Sequence, residues 1–267
     1  MEIISSSLSP FDSPVISFTL MFGAIYLFGY NLIFKNWGSS KYEATSCFIS
    51  LFHGSPAVIL SILALIQSSQ DNTNNHSSLS MLFQVGKENT ASQDLVLEFS
   101  IGYFIIDLLH YIIFIPKDVL FIAHHFATLY VLVTCRYVVH HGGAALLGLL
   151  VLAEITSPCQ NTWSLARYRK VDLPEAARYY EFLSPYFFTF YSVVRGVLGP
   201  LYVLKMIGAV LGASGGAAAA ATSGLVFWTW ISWLTVITVA IWVSILWILN
   251  LWIDLFRRRA NLMKKVS

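Results

Sequence analysis

Between Ile101 and Leu165 the sequence is apolar, yet it carries Asp107, His110, His124, His125, Glu154 and Asn161, each flanked by Ile, Leu, Val, Phe or Ala. Ionisable groups in such a setting are costly in lipid, so they turn towards a protein interior or a wet cavity and mark a functional site. Imidazoles titrate near neutrality and serve as bases or nucleophiles, and a carboxylate can orient them. Asp107 and His110 are spaced i, i+3, which puts them on one helix face. His124 and His125 are adjacent, so their side chains diverge by about 100° and cannot both meet one partner. One of them is expected to face a cavity and the other a neighbouring helix.

A structural reading of the same residues stands beside this one. A lone histidine in an apolar helix is more often a hydrogen-bonded packing group, and His53 alone reads that way. Asp107 and Glu154 can form a purely structural set with Arg195, the only cation available to neutralise either at depth. Thr128 and Thr156 can bond back to their own helices, and Pro158 is expected to kink its helix. Clustered histidines also bring metal to mind, but neither of the boxes HxxxH and HxxHH used by membrane di-iron enzymes occurs, nor does an i, i+4 histidine pair. No metal is expected.

The elements that must position these residues are membrane spans. The chain has 267 residues, 57% apolar and only 11% charged, against roughly 25% charged for a soluble domain. Seven segments have the length of a spanning helix: 14–34, 44–67, 95–115, 119–139, 143–162, 181–205 and 226–254. The fold class is therefore all-α, a multispan transmembrane bundle of about seven helices. The last segment exceeds what a bilayer needs, and its tryptophans suit a tilted helix with aromatic belts. The net charge of +2 is too small to argue for nucleic acid. Cys47, Cys135 and Cys159 fall in or at the ends of spans and suggest no disulfide framework.

Lys35 and Lys41, Lys117, the loop with Arg167, Arg169, Lys170 and Arg178, and the tail at 257–267 are basic and alternate with loops that are not. Positive charge favours the cytosol, so the N-terminus is expected in the lumen and the C-terminus in the cytosol. The sequon Asn75-His76-Ser77 lies in a loop assigned to the lumen. Lys264-Lys265-Val266-Ser267 look like a dilysine retrieval signal of endoplasmic reticulum membrane proteins, read by coat proteins, although they also simply extend the basic cluster. At 1.5 Å per residue, His53, Asp107, His110, His124, His125 and Glu154 all lie about 8–14 Å from the basic ends of their helices, and Arg195 about 20 Å. Four stretches thus send ionisable groups to one layer, which favours a lipid-handling site.

Taken together, SLFHG at 50–54, GYFIIDLLH at 102–110, HHFAT at 124–128, EITSPCQN at 154–161 and FYSVVRGVLGP at 190–200 resemble the TLC domain family, which includes ceramide synthases and proteins of lipid homeostasis. The resemblance covers 41–256, with 1–40 as an N-terminal segment with the first span. It implies a helical bundle around a cavity, with membrane lipids as partners. In ceramide synthases the paired histidines serve acyl transfer from acyl-CoA to a sphingoid amine. Carried over, His124 or His125 would be general base or acyl-accepting nucleophile, Asp107 would orient or balance it, and acyl-CoA would be co-substrate. Candidate catalytic residues are thus His124, His125 and Asp107; His53, His110, Glu154, Ser157, Asn161 and Arg195 form a substrate-binding or structural polar cluster. Ceramide synthases carry several aspartates after the paired histidines, whereas here LLVLAEITSPCQNTW has Glu154 as its only acid. The chain therefore looks like the lipid-homeostasis branch of the family. The alternative to acyl transfer is a non-catalytic lipid binder, transporter or cargo adaptor.

Overall fold

A computed structural model of the chain describes residues 14–70, 87–213 and 224–266. The sequon at Asn75 and the side chains of Lys264 and Lys265 lie outside the described residues. Nine α-helices occur among the described residues: α1 (Pro14–Phe28), α2 (Lys41–Gln70), α3 (Ala91–Phe114), α4 (Val119–Thr134), α5 (Gly143–Glu154), α6 (Ser157–Arg169), α7 (Pro174–Val193), α8 (Gly199–Ala213) and α9 (Gly224–Val266). No strand is present among them, only an isolated bridge between Glu88 and His141. Wide π-turns continue α1 over Gly29–Ile33 and α4 over Cys135–Val139, and join α7 to α8 over Val194–Leu198. These elements make seven helices long and apolar enough to cross a membrane.

Local chemistry explains where the helices start and break. Helix α3 begins four residues before the expected 95 because Thr90 and Gln93 form a reciprocal cap, each side chain accepting from the other's backbone N–H. Helix α7 begins at Pro174, whose fixed φ and missing N–H suit a first helical position. The fifth span does not kink but breaks at Ile155 and Thr156, because the ring of Pro158 excludes the carbonyl four residues back. At the other extreme, residues 257–266 continue the last helix, which stays helical through Val266.

Packing runs in a circuit from α3 through α4, α9, α8 and α7, then α6 and α5, to α2 and back to α3. Helix α1 lies against α3 and α2. At Gly102 an added Cβ would come within 2.8–3.0 Å of Phe18 and the backbone of Thr19, so a glycine is what lets α1 and α3 approach so closely. Phe22, fully buried, packs from α1 onto Phe99, Tyr103 and His53. The first helix therefore belongs to the same core as the helices that follow it.

The expected aromatic belts on the last helix are mostly internal contacts. Trp230 and Trp233 are buried and pack on each other, Trp247 packs edge-on against Tyr191, and Trp252 donates to Ser192. Of the tryptophans on α9, Trp228 and Trp242 are exposed.

The two ends of the circuit differ. At the basic-loop end, Arg169 lies over the ring of Trp37, and Arg258 reaches Tyr180 and Glu181. At the opposite end, Arg136 donates through Nε to buried Glu98 at 2.7 Å and pairs with Asp94 at 3.4 Å. Asn89 there donates to Asp94 and to the Cys135 carbonyl and accepts from the Gly143 N–H. The hydrogen bonds between α4 and α9, Tyr130 to Ser232 and Trp233 to Thr134, also lie towards this end.

Candidate functional site

Asp107 stands in the middle of α3, the most buried of the spans, and its carboxylate is 1% exposed. Its Oδ2 accepts from the Tyr103 hydroxyl at 3.1 Å, one turn back, and lies 2.8 Å from Nε2 of His125 on α4. The other ring nitrogen of His125, Nδ1, lies 2.8 Å from the Phe121 carbonyl. A carbonyl only accepts, so Nδ1 carries a proton and donates it, and the proton between Nε2 and Oδ2 completes the ring's bonding. Both nitrogens of His125 are thus engaged. A buried imidazole in this state has no lone pair to offer a substrate.

His124 is its opposite. It is exposed, its neighbours are the rings of Phe121 and His125, and Thr128 donates to its backbone carbonyl rather than to its ring. The charges of His125, Arg195 and Asp107 all act on it. These come from its own helix, from α3, and from the π-turn after α7. His124 thus keeps exposed surface although protein atoms surround it densely, and α4 makes no extended packing with α7 or with that turn.

A second buried group of polar residues lies across α2. The His53 ring stacks on Tyr103 with centroids 4.0 Å apart and planes at 7°, and Nε2 lies 3.1 Å from the Ser100 hydroxyl. Its Nδ1 is 3.8 Å from Oε2 of Glu154, too far for a hydrogen bond. Glu154 instead accepts from Ser157 at 2.7 Å, across the break between α5 and α6. At Gly54 an added Cβ would come within 3.1 Å of both Ser157 and Glu154, so α2 and this break are in direct contact. Asn161, one turn into α6, donates to Ser50 at 2.8 Å, and Ser50 in turn lies against the Tyr103 hydroxyl. The sequence stretches around Ser50, Asp107, His125 and Glu154 are therefore joined through α2 and Tyr103.

Two expected pairings are replaced by others. Asp107 orients His125 and not His110, whose Nδ1 lies 3.1 Å from Tyr26 of α1. The i, i+3 spacing puts His110 on the same helix face as Asp107, but its ring bonds Tyr26 of α1 instead. Arg195 makes no ion pair with Asp107 or Glu154; it donates to the carbonyl of Ala153. The broken helix leaves that carbonyl without a following turn, and the guanidinium reaches it from the π-turn. Tyr103, Ser100 and Ser50 were not singled out from sequence. For Tyr103 the signal was present: it precedes Asp107 by four residues on the same helix face.

The architecture is that of a polytopic helical membrane protein holding a buried carboxylate–imidazole pair beside a free imidazole. Residues 43–253 match the TLC domain model, and the chain belongs to that family. It is 50% identical over 266 residues to a TLC domain-containing protein of Arabidopsis thaliana, covering 98% of this chain and 96% of the relative. No solved structure matches the chain.

Proposed function

We propose that this protein works in lipid homeostasis in the endoplasmic reticulum membrane, transferring an acyl group from acyl-CoA to the amine or hydroxyl of a lipid. The observation that carries the reading is the contrast between the two histidines. His124 is open and makes no ring hydrogen bond among the described residues, whereas His125 is locked between Asp107 and the Phe121 carbonyl. Base catalysis and acyl acceptance both need a nitrogen lone pair. His124 has one to give. As acceptor, it would take the acyl group as the thioester C–S bond breaks and its own proton goes to the departing thiolate; the lipid amine or hydroxyl would then take the acyl group and return a proton. Asp107 and His125 are positioning residues in this scheme, holding the α4 segment that carries His124.

The basic loops gather at one end of the bundle, which supports a cytosolic C-terminus and a lumenal N-terminus. Acyl-CoA would then approach from the cytosolic end. The second reading, a non-catalytic lipid binder, transporter or adaptor, is favoured by Glu154, which is the only acid of its stretch and is committed to Ser157. Full-length protein in liposomes with acyl-CoA and candidate lipid acceptors separates the two. His124→Ala should lower product formation by about a hundredfold or more, with the fold intact. An unchanged product profile in that variant removes the transfer reading in favour of the binder.

A further inference from the structure

Arg195 is a cation within a span with no anion beside it among the described residues. It lies on the π-turn Val194–Leu198, within the continuous span from Pro174 to Gly208. By length it lies about 30 Å from Pro174 and about 20 Å from Gly208, inside the span rather than at its ends. Its guanidinium donates to the Ala153 carbonyl and lies over the Tyr191 ring at 5.5 Å. Its Nε is shut off from solvent and has no partner, and no carboxylate lies within ion-pair distance among the described residues. The two buried acids that could have neutralised it are already engaged, Asp107 by His125 and Tyr103, and Glu154 by Ser157.

A guanidinium has five donors and keeps its charge, so one carbonyl and one ring leave most of its bonding unmet. A charge at this depth is retained only where something anionic, or water, meets it. The π-turn matters here, because an extra residue in a helical turn re-aims a side chain and such turns concentrate at functional sites. Arg195 reaches the break between α5 and α6, where its guanidinium meets the Ala153 carbonyl.

We infer that Arg195 receives the carboxylate of a single-chain fatty acid at this unpaired guanidinium, with the acyl tail among the spans beside it. The inference rests on the proposed function in placing an acyl chain there, and it adds the head-group chemistry. A carboxylate matches the fork of the guanidinium with two parallel N–H···O bonds and is small enough to enter at mid-span. A neutral head group would leave the cation as it is.

The test uses full-length protein in nanodiscs and compares equilibrium binding of oleate with that of oleyl alcohol, which has the same tail and no charge. The parent should bind oleate roughly tenfold more tightly or better. Arg195→Gln should remove this preference while leaving the alcohol's affinity unchanged, and Arg195→Lys should restore part of it. Equal affinity for acid and alcohol in the parent, or an acid preference that persists in Arg195→Gln, overturns the inference. The comparison in the parent needs no variant, so a variant that fails to fold does not shield the claim. The two readings also fail separately: an Arg195-dependent acid preference stands whether or not transfer is detected, and transfer by a chain without that preference leaves the transfer and removes the carboxylate site.

Discussion

At the end of the bundle remote from the basic loops, Arg136 is held by Glu98 and Asp94, and Asn89 ties the start of α3 to the chain between α4 and α5. In the half that carries His124 and Arg195, the cation has no carboxylate and the imidazole no hydrogen-bond partner among the described residues. Both arginines lie within apolar spans, Arg136 near the end of its span and Arg195 deeper, so burying either charge carries a penalty. One region resolves that penalty internally, and the other leaves groups that a ligand can satisfy. The difference separates structural from functional polarity better than residue type does, since an Arg, a His and acids occur in each half.

Breaking the contrast should have its largest effect at His124. Replacing it by Ala is expected to abolish acyl transfer while leaving thermal unfolding in detergent unchanged, because its ring makes no hydrogen bond that the fold loses. His125→Ala should instead affect both, since it strands the buried Asp107 carboxylate. Next comes Arg136→Ala, which leaves buried Glu98 without its partner and should destabilise the fold by about 3–5 kcal/mol. Thermal unfolding would read that loss, and activity per folded molecule should not change. If Arg136→Ala removes transfer while the protein stays folded, the division between the two halves is wrong.

Smaller effects test the connections between them. Gly102→Val forces α1 away from α3 at the Phe18 and Thr19 contact, and overpacking of this kind costs about 1–3 kcal/mol. Asn161→Ala removes one hydrogen bond to Ser50 and should cost about 1 kcal/mol; unfolding midpoints would rank the two. A ranking with Asn161→Ala above Gly102→Val would place the critical seam at α2–α6 instead of α1–α3.

The spans were legible because apolar runs of bilayer length are a strong signal, and their number matches the seven apolar helices. Their ends were less so: the Thr90–Gln93 cap and Pro174 set starts that hydropathy alone places later. The polar residues can be listed from sequence, and the family resemblance implies Asp107 beside one of the paired histidines, but the spacing alone points Asp107 to His110. Asp107 is three residues from His110 and bonds His125, because a partner across a helix interface can approach more closely than one along the same face. The break before Pro158 was foreseen as a kink, yet its consequence, a carbonyl at Ala153 taken by Arg195, depends on how two distant spans pack. Arg136 and Glu98 each sit near a helix end, where a charge reads as interfacial; their burial against each other is a tertiary fact.

Chemical labelling of histidines with diethylpyrocarbonate, mapped by peptide mass spectrometry in the membrane-embedded full chain, tests the central distinction most directly. The reagent acylates an imidazole nitrogen that is reachable and carries a lone pair. His124 should be modified, His125 and His53 protected, and oleate should protect His124. Labelling of His125 in preference to His124 would contradict the account.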